Sequence, residues 1–285
     1  MAVKEAIAKA KDVSWSLLAR VLLSERNTKR LEQFLDIQDP QKHVAEAIDM
    51  VHHGHTLVIV ANHESHADIL PLIVLSRQIS QATGKNFLVP SAASLNTGHQ
   101  GGAITSFFEQ IEPWLESNGL QMVPFVRQRD VEQYGLGKEE NGKSARRLIA
   151  ARADGFNFAW FPEGSVQGGR RVDPKNPNSE RFGIQEADPA FGKFISKIID
   201  QGPTVFLPVG IHGSYKLLDP DTKKPTAAVM GALGLRTIGL GEISPVVSVK
   251  VGKPFLGTEI PQATGRKRDG ADVGKRIMQK LSPLV

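Results

Sequence analysis

The sequence predicts an α/β fold: a mixed, mostly parallel central sheet flanked by helices, with a helical segment at the N-terminus. Three observations carry that prediction. From Thr56 onward, short runs rich in β-branched or aromatic residues (57–60, 87–89, 122–126, 156–161, 205–209 and 246–251) alternate with stretches of helical spacing. Strands separated by helices imply crossovers, and crossovers imply parallel pairing. The chain has 285 residues, 40% hydrophobic and 23% charged, which suits one large soluble domain and excludes wholesale disorder. No apolar stretch approaches the roughly 18–20 residues of a membrane span.

Taken in order, residues 1–50 read as helices. Val13, Leu17, Leu18, Val21 and Leu22 form one apolar stripe, and Leu31, Phe34 and Leu35 form a second. Asp39-Pro40 then opens a third helix, ending near Met50. The first stripe, with Trp15, has a mixed-charge polar face, which favours packing on the core over lying on a membrane surface. The division is therefore a helical segment, 1–50, and an α/β domain, 51–285. One stretch breaks the strand–helix rhythm: 164–189, polar, rich in Gly and Pro, and too long for an ordinary connection. Loops of that length in a compact domain are commonly functional, and α/β sheets bind ligands beyond the carboxyl ends of their strands, where this one begins.

Charge and cysteine usage narrow the chemistry. Lys plus Arg is 35 against 30 for Asp plus Glu, a formal net charge of +5, which favours anionic partners: phosphorylated metabolites, acidic carrier proteins, lipid headgroups or nucleic acid. The absence of Cys removes disulfides, thiolate nucleophiles, Cys-ligated zinc and iron–sulfur clusters. The N-terminus MAVKEAIAKAKDV lacks the order of a secretory signal, so the expected location is cytoplasmic, with any membrane contact peripheral.

Four segments can carry chemistry. In the first, 59–68, a strand runs into Asn62-His63-Glu64-Ser65-His66-Ala67-Asp68 and then an apolar helix. His63 can serve as a general base, with Asp68 fixing its tautomer and stabilising the imidazolium. A five-residue step on a regular helix turns a side chain by about 140°, so the pair meets only if His63 lies in the turn before the helix. Ser65 can cap that helix. The second segment, Val123-Pro124-Phe125-Val126-Arg127-Gln128-Arg129, delivers guanidiniums to a strand end, suited to phosphate or carboxylate. The third, Phe158-Ala159-Trp160-Phe161-Pro162-Glu163-Gly164-Ser165, places a carboxylate at a Pro/Gly corner. The fourth is the core strand Phe206-Leu207-Pro208-Val209-Gly210-Ile211, with a proline as its oddity.

Together, and in this order, the blocks resemble the glycerolipid acyltransferase family, which includes the glycerol-3-phosphate and 1-acylglycerol-3-phosphate O-acyltransferases. The resemblance spans about 57–211; Asn62, His63, Ser65 and Asp68 match its first block, and Phe161, Pro162, Glu163 and Gly164 its third. It implies that His63 deprotonates a glycerol hydroxyl, that Asp68 orients His63, and that the hydroxyl attacks the thioester of acyl-CoA or acyl-carrier protein. It further implies that Arg127, or Arg129, meets the acceptor's phosphate and that Glu163 and Gly164 bind the glycerol phosphate. The third block departs from the family after Gly164. Ser165-Val166 stands where Thr-Arg is usual, which leaves Arg170 or Arg171 to replace the missing cation. The expected function is transfer of a fatty acyl group to glycerol 3-phosphate in phospholipid biosynthesis, without metal or bound cofactor; the alternative acceptor is 1-acylglycerol 3-phosphate (lysophosphatidate). Phe107, Phe108, Trp114 and Trp160 are candidates to line an acyl channel.

Two rivals come from other classes. His52, His53, His55, His63 and His66 crowd within fifteen residues beside Glu64 and Asp68, as in a metal-dependent hydrolase. Against it, His52-His53-Gly54-His55 reads as a helix end, and His63 and His66 lack the i, i+4 spacing of a helical zinc pair. A nucleic-acid module is suggested by Arg266-Lys267-Arg268, but these lack interleaved aromatics, and the chain has two Tyr, so no nucleic-acid partner is expected.

Overall fold

A computed structural model describes residues 32–92, 112–126, 131–132, 135, 137, 139–164, 186–217, 246–260 and 269–285. The element order is β1 (Leu35–Gln38), α1 (His43–His52), β2 (Thr56–Ala61), α2 (Ile69–Thr83), β3 (Phe87–Ala92), β4 (Leu120–Phe125), α3 (Glu139–Ala153), β5 (Asn157–Trp160), α4 (Pro189–Asp200), β6 (Thr204–His212), β7 (Val247–Val251), β8 (Phe255–Leu256) and α5 (Gly270–Leu281). The strands form one eight-stranded sheet in the order β1-β7-β6-β2-β5-β3-β4, with β8 also beside β6. The run β6-β2-β5-β3-β4 is parallel throughout. β7 and β8 run antiparallel to β6, and β1 is parallel to β7. This is the mixed, mostly parallel α/β sheet that the alternating pattern predicts.

β2 sits at the centre because both of its faces are apolar. Leu57, Ile59 and Ala61 pack on one side with Val44, Ala47 and Val51 of α1 and Leu72, Ile73, Leu75 and Ile79 of α2. Val58 and Val60 pack on the other with Phe191, Phe194, Ile195 and Ile198 of α4 and Val273 and Ile277 of α5. A strand covered on both faces reads as a continuous apolar run, and TLVIVA does. Each of these large side chains contributes about 1.5–3 kcal/mol by leaving water. α4 and α5 touch so closely that a Cβ on Gly192 would lie 1.7 Å from the Gly270 carbonyl oxygen, which explains the glycines at that crossing.

Pro208 has a physical place in β6. Its carbonyl accepts the Gly252 N–H at 2.8 Å, so the ring nitrogen faces the gap between β7 and β8, where no ladder bond is lost.

The N-terminal segment requires a correction. Phe34 closes a 3-10 turn, Glu32–Phe34, but Leu35, read in the same helical stripe, opens a strand, Leu35–Gln38, in register with Val247–Lys250 of β7. Helix α1 starts at His43 rather than at 39–40, and the Asp39 carboxylate accepts the N–H groups of His43 and Val44 at 2.6 and 2.9 Å. A boundary at residue 50 would cut α1, so residues 35–52 belong to the α/β unit. The stripe from Val13 to Leu22, Trp15 and Leu31 lie outside the described residues.

Candidate active site

The carboxyl ends of β2, β5 and β6 open on one edge of the sheet, and three turns meet there. After β2 the chain makes a 3-10 turn, His66–Asp68, before α2 begins. A capping box builds it: Ser65 Oγ accepts the Ala67 N–H at 3.0 Å, and Asp68 Oδ2 accepts the Ser65 N–H at 2.8 Å. The same Oδ2 lies 2.9 Å from His63 Nδ1. One carboxylate oxygen thus closes the turn and orients the ring, because His63 precedes the helix rather than riding on it. Asp68 is fully buried, and its Oδ1 has no hydrogen-bond partner. With Oδ2 as acceptor, the His63 proton sits on Nδ1 and the basic lone pair on Nε2. Phe161 fixes the plane of the imidazole, stacked at 4.1 Å between ring centroids and 11°.

The turn after β5 supports the same residue from its backbone side. Glu163 Oε2 accepts the His63 N–H at 2.8 Å. Gly164 has φ +67, a conformation that favours glycine, and its N–H bonds to Phe161 O at 3.0 Å. Asp188 returns to this corner: its N–H bonds to Pro162 O at 2.8 Å, and its carboxylate caps α4 by accepting the Ala190 N–H. The long connection therefore begins and ends at one point beside His63. Ser165, Arg170 and Arg171 on that connection lie outside the described residues.

Arg127 and Arg129 also lie outside them, but the strand that delivers them is well anchored. Asn141 of α3 pairs with both backbone groups of Val126 at 2.7 Å, and Ser144 Oγ donates to Pro124 O at 2.7 Å. β4 is three strand positions from β2, about 14 Å at the usual spacing.

Asn62 and Ser65 prove to be framework. The Asn62 amide donates to Ile211 O at 2.7 Å and accepts the Ile211 N–H at 2.6 Å, adding a side-chain rung between β2 and β6. Ser65 is buried and donates to Ser214 Oγ at 3.1 Å. Both hold the turn in place.

Glu64 is the residue that sequence reasoning did not assign to the site. It is only 2% exposed; its Oε2 accepts the Gly213 N–H at 2.9 Å and its Oε1 lies 3.2 Å from His212 Nδ1. Burial pushes its carboxyl up to about 8, helped by the negative charge of Asp68. The partners are about 150 positions apart, so no local pattern marks the pair.

His53 and His55 follow the helix-end reading. They place Nδ1 at 2.8 and 3.1 Å from Asp49 O and Met50 O, and Gly54 has φ +88. Among the described residues, no group of three or more His, Asp or Glu is arranged to hold a metal ion. Trp160 packs on Phe191 and Phe194, and Trp114 on the α2 side of the core. Phe107, Phe108 and Arg266-Lys267-Arg268 lie outside the described residues. Among those described, no helix is long and apolar enough to cross a membrane. The chain matches no protein-family model and no curated protein.

Proposed function

We propose that the chain is an acyltransferase that moves a fatty acyl group from acyl-CoA or acyl-carrier protein to a hydroxyl of glycerol 3-phosphate, a step of phospholipid synthesis. The observation that carries this reading is the 2.9 Å contact between His63 Nδ1 and the buried Asp68 carboxylate at the end of the central strand. His63 Nε2 takes the hydroxyl proton as the oxygen attacks the thioester carbonyl carbon. The tetrahedral intermediate collapses with cleavage of the C–S bond, and the imidazolium returns the proton to the departing sulfur. Asp68 stabilises the imidazolium between those steps. Arg127 or Arg129, with Glu163 and Gly164, would bind the acceptor. The protein would work in the cytoplasm or at a membrane surface, and lysophosphatidate is the alternative acceptor.

The test is free-thiol release from palmitoyl-CoA by wild type and His63→Ala, with and without glycerol 3-phosphate, in EDTA. Acceptor-dependent release that vanishes in His63→Ala supports the proposal. Release independent of acceptor would make the protein a thioesterase. If nothing is released with either donor and either acceptor, the proposal fails.

A further inference from the structure

Glu64 and His212 form a second carboxylate–imidazole pair beside the first. His63–Asp68 closes the turn after β2, whereas Glu64 reaches from that turn to the corner after β6. His212 turns Nδ1 inward to a buried carboxyl, while its side chain is 49% exposed, so the opposite ring nitrogen, Nε2, faces outward. Two lysines lie nearby. Lys216 lies 5.9 Å from the Tyr215 ring, whose edge-on neighbour is His212. On the adjacent strand, Ser248 is the register partner of His212, and exposed Lys250 shares that face of the sheet one rung along. Among the described residues, Asp68 is buried behind Glu64, and exposed Asp36 of β1 is the register partner of Ser248 on the other side of β7.

We propose that Glu64 holds His212 as a phosphate-binding residue, with Nε2–H donating to an oxygen of a phosphorylated ligand. Two buried carboxyl groups as near as Glu64 and Asp68 do not readily both carry charge, and Glu64 is the one pushed up to about 8. The Glu64–His212 pair therefore retains an extra proton at neutral pH. Oε2 accepts the Gly213 N–H, which leaves that proton between Oε1 and His212 Nδ1; on either atom, Nε2 keeps its own hydrogen. The two imidazoles thus present opposite faces of the same chemistry: His63 offers a lone pair, and His212 offers a donor. With acyl transfer as the reaction, which this assignment takes from the reading above, the phosphate belongs either to the acceptor or to CoA.

The test uses the full chain and equilibrium binding of inorganic phosphate, glycerol 3-phosphate and CoA by calorimetry at pH 7. His212→Ala should weaken inorganic phosphate by about tenfold, as expected for loss of a charge-assisted bond. A parallel loss for glycerol 3-phosphate places the group on the acceptor; a loss for CoA instead places it on the donor. Glu64→Gln, whose amide can donate to Nδ1 while its oxygen accepts from Gly213, should retain most of the binding, and Glu64→Leu should not. Nitrogen-15 spectra of the imidazoles should show His212 protonated on Nε2 and His63 on Nδ1. Inorganic phosphate that binds wild type no better than folded His212→Ala, or an unprotonated His212 Nε2 at pH 7, would overturn the proposal. Neither readout depends on turnover, so failure here leaves the thiol-release test untouched, and the reverse also holds.

Discussion

Asp68 and Glu64 stand on the same turn, both are buried, and each meets the Nδ1 of a histidine, yet their surroundings differ. Asp68 Oδ2 receives two N–H groups from its own turn, from Ser65 and His63. Glu64 spans to another strand and stands close to the charge of Asp68, so burial dominates and its proton is retained to about pH 8. Residue type and spacing therefore do not fix the role of a buried carboxyl. Nor does the number of donors, since Glu64 also meets Gly213, His212 and Ser214; burial and the charge of Asp68 outweigh them.

The largest effect should come from Asp68→Asn. Oδ2 serves both N–H groups, so the amide can put only one atom there: its oxygen keeps both bonds without the charge that stabilises the imidazolium, and its NH2 selects the wrong tautomer and loses Ser65. Turnover in the thiol-release assay should fall by about 10⁴-fold, roughly 5 kcal/mol of barrier, with the circular dichroism spectrum unchanged. A loss below about tenfold would erase the distinction between the two carboxyls.

Glu64→Gln should act on stability and its pH dependence. The folded value of about 8 exceeds the ordinary 4.5, so between those pH values the folded chain holds a proton that the unfolded chain has released. The resulting stabilisation is full below about 4.5 and is lost as pH rises through about 8. Glutamine does not titrate. Relative to wild type, the variant should therefore gain stability from pH 5 to pH 8.5, by up to a few kcal/mol, read as denaturation midpoints across pH. Parallel pH curves for the two proteins would contradict the retained proton.

Smaller effects test the framework that keeps the two carboxyls apart. Asn62→Ala strips Ile211 of partners for both its N–H and C=O, and should cost about 2–3 kcal/mol in urea denaturation. Ser65→Ala removes a cap and should cost about 1 kcal/mol, with less effect on turnover than Asp68→Asn. If Ser65→Ala instead matched Asp68→Asn in lost turnover, the hydroxyl would belong to the chemistry.

Much of this was legible because the signals were local. The strands from β2 to β7 announce themselves by β-branched or aromatic runs, and His63 reaches Asp68 because a polar turn separates strand from helix within one short segment. β1 was misread because in LDIQ and its neighbours the spacing of Leu31, Phe34 and Leu35 imitates a helix, and four residues are too few to separate a period of 2 from one of 3.6. What gave it strand geometry is β7, more than two hundred positions away. Glu64 escaped for the same reason. A polar residue in a polar turn reads as solvated until the corner at 212–214 closes over it.

The hydrogen bond from Asp188 to Pro162 has a consequence for how such a molecule changes over time. Because the chain leaves Gly164 and comes back to the same spot, the sheet does not depend on the length of what is strung between them. Lengthening a closed loop carries a penalty that grows only with the logarithm of its size. Insertions and deletions between those two anchors can therefore accumulate while His63, Asp68 and Phe161 keep their places, so the connection can drift on a frame that stays still.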